Sequence, residues 1–139
     1  MRLRFDSLAR ATITAVVLAA AVACSGGDGS ADEGSDAAAA VRTFYDHLNA
    51  GRFDDAKALY TAETREQIFF DASAEEGFRN WATVETHNSG LTEFKIVSET
   101  EGAGGVTIEF ELGFKDGESS RRSVTVSIED GAWRLGFIG

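Results

Sequence analysis

Few side chains in this sequence combine the types and the spacing that catalysis or metal binding requires. The 139 residues include two histidines, His47 and His87, and one cysteine, Cys24. His47 falls on the flank of an apolar helical stripe, which favours a boundary position over a catalytic base. His87 falls in a polar segment, and two histidines so placed lack the spacing of metal ligands. We therefore expect no metal site and no cofactor.

The acidic residues are numerous but scattered. Asp54 and Asp55, like Glu75 and Glu76, stand at predicted helix starts, where negative charge interacts favourably with the helix dipole. Two carboxylates that work as acid and base must face each other across a cleft and have separated pKa values. No spacing here indicates such a pair, so we expect no catalytic residue and a protein that is not an enzyme.

Arg122 is predicted to lie on an apolar strand face. It alternates with Val124 and Val126, so its side chain points to the same side of the strand as theirs. The guanidinium must then either reach solvent along its apolar stem or line the mouth of a cavity. In the second case it could contact an anionic ligand.

Cys24 follows a segment with the three-part layout of an export signal. A basic start within residues 1–10 precedes an uncharged run over residues 11–22, and small residues stand directly before the cysteine. This run of twelve residues is too short for a membrane-spanning helix, which needs about 20. We predict that residues 1–23 are a cleaved signal peptide.

The segment Ala21-Val22-Ala23-Cys24 resembles the bacterial lipobox, in which the cysteine becomes the lipidated first residue of the mature protein. The alternative is ordinary cleavage beside an incidental cysteine, which would leave a reactive thiol outside the cell. Two or three acyl chains hold a protein stably on a bilayer. The resemblance implies an exported protein, anchored through Cys24 to the outer face of the cytoplasmic membrane, or to the outer membrane where one exists.

Composition and charge exclude further classes of protein. The net charge is −10, and removal of residues 1–23 takes away three arginines and one aspartate, which leaves −12. We expect no nucleic-acid binding, because neutralising phosphates needs clustered lysine and arginine.

Residues 24–35 are mainly glycine, serine and acidic residues, which predicts a flexible tether after the lipidated cysteine. The folded domain is then residues 36–139.

Helical periodicity marks the first half of this domain. Apolar residues recur at spacings of three and four after Ser35, a predicted N-cap, and Gly51 predicts the end of this first helix. A short helix is expected over residues 53–60, and Thr61 can cap a third. The Ser-x-x-Glu spacing at Ser73 has the form of a capping box and predicts the start of a fourth helix.

From Leu91 onward the apolar period becomes two, which predicts four short strands. Glycine-containing turns separate them, so successive strands should pair as antiparallel hairpins. Helices followed by such a meander predict an α+β fold, in which the N-terminal helices cover the apolar face of a curved four-stranded antiparallel sheet. The predicted turns are residues 102–105, 116–117 and 130–131.

Turn length predicts how these strands pair. A two-residue Asp-Gly loop in the last hairpin sets Val126 opposite Leu135 and Val124 opposite Phe137, apolar on apolar. In the preceding hairpin, a three-residue loop with a bulged glycine places Phe110 opposite Val124.

Residues 41–56 (VRTFYDHLNAGRFDDA) look like the opening of nuclear transport factor 2-like domains, which have a long helix with an aromatic pair, a glycine turn and a short second helix. Residues 130–135 (DGAWRL) resemble the last strand of those domains. The likeness covers residues 37–138, and the chain is similar to short bacterial lipoproteins of that superfamily. It implies a cone between helices and sheet, which in some members encloses an apolar pocket.

This resemblance implies a set of ligand-pocket candidates, although the same aromatic residues could instead fill a solid core. We expect a non-enzymatic protein-interaction module at the cell envelope, which binds a protein partner or forms a homodimer. One alternative is a carrier or sensor of a small apolar or weakly anionic ligand in the cone, and a further one is an enzyme of the isomerase or dehydratase type. The candidates are Phe44, Tyr45, Tyr60, Phe110 and Arg122.

Overall fold

The structure, a computed structural model, describes residues 34–139. Four helices come first and four strands follow: α1 (Asp36–Asn49), α2 (Phe53–Lys57), α3 (Ala62–Ile68), α4 (Ala72–Glu85), β1 (Leu91–Gly102), β2 (Gly105–Phe114), β3 (Ser119–Glu129) and β4 (Ala132–Ile138). The predicted signal peptide, Cys24 and the tether up to residue 33 lie outside the described residues. No helix in the described part is long and apolar enough to cross a membrane.

Local capping chemistry sets the ends of the first and third helices. The Ser35 hydroxyl accepts a hydrogen bond from the amide of Ala38 at 3.3 Å, and the Thr61 hydroxyl accepts one from the amide of Thr64 at 3.1 Å. Gly51 follows α1 with a φ of 74°, a left-handed conformation that glycine adopts without steric cost. These three predictions are confirmed.

The predicted capping box at Ser73 is wrong. Helix α4 begins earlier, and the Asp71 carboxylate accepts a hydrogen bond from the amide of Ala74 at 2.8 Å. An aspartate satisfies this free amide and also places a negative charge at the positive end of the helix dipole. The helix consequently begins two residues earlier than the box had marked.

The strands form one antiparallel sheet in the order β1-β2-β3-β4, which confirms the predicted meander. Strand β1 has 12 residues and is longer than the short strand that the sequence predicted. The side chains on one face of the sheet are buried under the helices, and the opposite face carries exposed polar residues such as Glu109, Glu111 and Thr125. The buried sheet residues are Ile108, Phe110, Leu112, Phe114, Val124, Val126 and Leu135.

The last hairpin has the predicted register only near its turn. Val126 pairs with Leu135 as expected, but a bulge then shifts Val124 to a position opposite Ile138. The expected pair of Val124 and Phe137 is therefore wrong. Because of this bulge Phe137 leaves the core and is 56% exposed.

The hairpin between β2 and β3 has a three-residue loop, but this loop starts one residue earlier than predicted. The Phe114 amide donates to the Glu118 carbonyl at 3.0 Å, and Gly117 ends the loop with a φ of 85°. Phe110 consequently pairs with Arg122, not with Val124. A slip of two residues keeps every side chain on its predicted face, so Arg122 still points toward the helices.

Candidate functional site

Four of the five pocket candidates, including Tyr60, lie in the packed core. Phe44, Tyr45 and Phe110 are buried completely or almost so. The ring centroids of Phe44 and Tyr45 are 5.5 Å apart, and those of Tyr45 and Phe110 are 5.2 Å apart, both in edge-to-face geometry. These rings fill the space between α1 and the sheet.

Arg122, the fifth candidate, is paired with a carboxylate that was not among the residues predicted to form a site. Its Nε and Nη2 donate to the two carboxylate oxygens of Glu85 at 2.8 and 2.9 Å, and the Tyr45 hydroxyl donates to the same carboxylate at 3.0 Å. Glu85 is 7% exposed, and a third of the Arg122 side chain reaches solvent. The third guanidinium nitrogen donates to the backbone carbonyl of Arg121.

This contact shifts the pKa values of Arg122 and Tyr45. The hydrogen bonds to Glu85 raise the pKa of Arg122 above its ordinary value. Burial raises the pKa of Tyr45, and the negative charge of Glu85 raises it further, so the phenol stays protonated and donates. The arginine charge is balanced inside the protein, and the nitrogens that an anionic ligand would need already have partners.

Glu85 had a readable signal in the sequence. Phe78, Ala82 and Glu85 follow one another at spacings of four and three, which places the glutamate on the apolar stripe of α4. An acid in that position needs a buried cationic partner, and Arg122 was the cation predicted on the apolar sheet face. The two observations together make Arg122 the candidate partner of Glu85, although they do not place the helix over the strand.

An open apolar groove lies beside this core. Its volume is about 430 Å³, and α4 contributes one wall with residues at spacings of three and four. Tyr60 is the only one of the five pocket candidates that lines it. The lining residues are Tyr60, Ile68, Phe70, Ala74, Gly77, Phe78, Trp81, Phe137 and Ile138.

The groove has an aromatic floor and an exposed aromatic rim. Phe78 packs edge-to-face against Phe69, with ring centroids 4.9 Å apart, and against Tyr60 at 6.0 Å. On the rim, Phe70 is 74% exposed and Phe137 is 56% exposed. Large apolar side chains so exposed and so close together are typical of a binding surface.

The two histidines occupy different surroundings. His47 is half-buried on α1, and its Nδ1 is buried with no hydrogen-bond partner among the described residues. His87 lies between α4 and β1, with its Nδ1 2.9 Å from Asp116 Oδ2 and 4.0 Å from Glu118 Oε2. The sequence pattern does not associate this histidine with either acid, because both acids belong to the distant β2–β3 hairpin.

Comparison with known proteins relates this chain to one family and to one solved structure. A family model described as a domain of unknown function, DUF4878, matches residues 28–136. The chain belongs to the DUF4878 family. No curated protein matches it. Among solved structures, this DUF4878 chain is similar to the solution structure of a SEC-C motif containing protein from Rhodopseudomonas palustris, with 20% identity, 76% of this chain and 80% of that chain covered, and a TM-score of 0.56.

At this identity, the structural likeness supports the α+β fold of the DUF4878 domain and nothing about its activity. The described residues offer two different environments. The buried Glu85 is bonded to two side chains and holds the end of α4 against β3. The groove instead presents apolar surface to solvent, which is suited to recognition.

Proposed function

We propose that this DUF4878 protein is an exported lipoprotein whose domain is a non-enzymatic protein-interaction module. The observation that carries the proposal is the open apolar groove with Phe70 and Phe137 on its rim. The order of the elements, helices first and then the meander, supports assigning the domain to the nuclear transport factor 2-like superfamily. Binding at the groove would bury aromatic side chains, which dominate the energetics of interfaces.

The charge around the groove indicates the chemistry of the partner. Helix α3 and the first part of α4, over residues 62–79, carry five acidic residues and two arginines, and one of the five, Glu75, is paired with Lys57. A second copy of the chain would bring the same negative charge. We therefore propose a partner segment with an apolar or aromatic side chain flanked by lysine or arginine.

Synthetic peptides test this proposal. A fluorescein-labelled peptide with a central Leu-Phe pair flanked by lysines should bind, and the same peptide flanked by glutamates should not, as measured by fluorescence anisotropy. Binding should weaken as salt rises. Gly77→Leu should weaken binding at least tenfold, because an apolar side chain buried in the groove is worth about 1.5–3 kcal/mol and leucine would fill that space.

Gly77 is suited to this test because a Cβ at that position meets no atom within 4 Å. Replacing a helical glycine also removes a cost of about 1 kcal/mol to the helix, so the variant should fold. The matched control is Val84→Leu, since Val84 is 73% exposed on the same helix and does not line the groove. Equal binding of both peptides, or binding that Gly77→Leu leaves unchanged, would refute the proposal.

A small apolar ligand is the second candidate for the groove. Its volume of about 430 Å³ lies within the range of small-molecule sites. Burial raises the pKa of Tyr60, so this lining residue presents an uncharged phenol to such a ligand. Native mass spectrometry of the protein purified from its own host should then show a bound mass that denaturation releases. A ligand-free protein would favour the peptide-binding function.

Lipid anchoring gives a separate prediction. Cys24→Ser should move the protein from the membrane fraction to the soluble fraction, because acyl chains supply about 0.8 kcal/mol for each buried CH₂ group. Cell fractionation followed by immunoblotting measures this change. Continued retention of the variant in the membrane would show that Cys24 is not the anchor.

A further inference from the structure

The connection between α4 and β1 and the hairpin between β2 and β3 bring three metal-ligating side chains together. One ligand atom each from His87, Asp116 and Glu118 lies within 4.8 Å of the other two. The imidazole distinguishes this group from an ordinary patch of surface carboxylates. This surface is separate from the groove, because none of the three residues lines it.

The histidine ring is held in place before any ligand arrives. It stacks on the Phe114 ring with centroids 3.7 Å apart and an interplanar angle of 5°. The Lys115 amide donates to the Gly90 carbonyl at 2.8 Å, which fixes the hairpin to the connection that carries His87. A site whose ligands are positioned in advance loses less conformational entropy on binding.

The two carboxylates are also accessible to a cation, one in a fixed position and the other able to move. The Glu118 amide donates to Asp116 Oδ1 at 2.9 Å, and this hydrogen bond holds the carboxylate in position. Asp116 Oδ2 lies nearest to the imidazole. Glu118 is mostly exposed, so its side chain can move the small distance that coordination requires.

We propose that His87, Asp116 and Glu118 bind a divalent transition metal of the Zn²⁺ class. Zinc accepts both imidazole nitrogen and carboxylate oxygen as ligands, whereas calcium and magnesium prefer oxygen ligands alone. Bonds of about 2.0–2.2 Å to zinc place neighbouring ligand atoms about 3.3 Å apart. The distances from His87 Nδ1 to Asp116 and Glu118, 2.9 and 4.0 Å, lie on either side of that value.

Three protein ligands leave a fourth coordination position for water or for a group on another molecule. The metal would also link the connection after α4 to the β2–β3 hairpin. Bound metal should therefore raise the thermal unfolding midpoint, because a ligand that binds only the native state stabilises it.

Titration calorimetry with Zn²⁺, and with Co²⁺ as a spectroscopic probe, tests this site. The purified protein should carry Cys24→Ser and no histidine tag, so that neither a thiol nor added imidazoles compete for metal. We expect one equivalent to bind, and Co²⁺ to show visible absorption bands. Glu118→Gln should weaken binding at least tenfold.

His87→Asn should abolish binding while the protein stays folded. His87 has a φ of 48°, and asparagine tolerates this left-handed conformation better than most residues do. The matched controls are His47→Asn and Glu101→Gln, a histidine and an exposed acid outside the cluster, which should bind metal like the parent protein. Absence of binding by the parent protein, or equal binding by His87→Asn, would overturn the proposal. Neither result would affect the peptide test of the groove.

Discussion

Replacing Arg122 by methionine should lower the free energy of unfolding by about 2–4 kcal/mol, because it leaves a buried carboxylate without its cation. Methionine keeps the apolar stem and removes the guanidinium that bonds both oxygens of Glu85. The Tyr45 hydroxyl alone would then stabilise the charge. Urea unfolding followed by tryptophan fluorescence measures the loss.

Removing the carboxylate instead of the guanidinium should lower the free energy of unfolding much less. Glu85→Gln keeps an acceptor for the Tyr45 hydroxyl, and the guanidinium of Arg122 can turn toward solvent because a third of its side chain is already exposed. The variant that carries both Glu85→Gln and Arg122→Met should therefore be more stable than Arg122→Met alone. Arg121→Met is the matched control, since this neighbouring arginine is exposed and the change should stay within about 0.5 kcal/mol. Equal losses for both single variants would show that the buried charge is not the cause.

Local sequence signals accounted for much of the fold. Ser35 and Thr61 cap their helices, and the strands form the predicted meander. Such features depend on residues close together in the chain, or on an alternation that specifies one buried face. The bulge in the last hairpin had one signal, Gly136 within the last strand, but a strand glycine does not specify how the pairing shifts, so the exposure of Phe137 was not predicted.

The candidate sites depend on contacts between distant segments, and periodicity does not report these. Glu85 and Arg122 are 37 residues apart, and His87 and Asp116 are 29 apart. The pattern placed Arg122 on the correct face of its strand, but the contact with α4 depends on how the helix lies across the sheet. The groove depends in addition on the exposure of Phe70 and Phe137, which loop geometry and a bulge determine.

The packing of Phe110 gives the second large effect. Phe110→Ala should cost about 3–5 kcal/mol, because the removed ring leaves a cavity in a packed core. The ring is completely buried and lies against Tyr45 and Phe94, with centroids 5.2 and 5.1 Å away. Ile128→Ala is the control on the neighbouring strand, since Ile128 is 63% exposed and its truncation should change little.

Phe110→Trp decides between a filled core and a hollow cone. A filled core has no room for the larger indole, so we expect a loss of about 1–3 kcal/mol in urea unfolding. A cavity beside this ring would accept the indole with little loss of stability, and any ligand held there would be displaced. A tryptophan variant as stable as the parent protein would therefore move the ligand site from the groove to the interior, where Phe44, Tyr45 and Phe110 would line it.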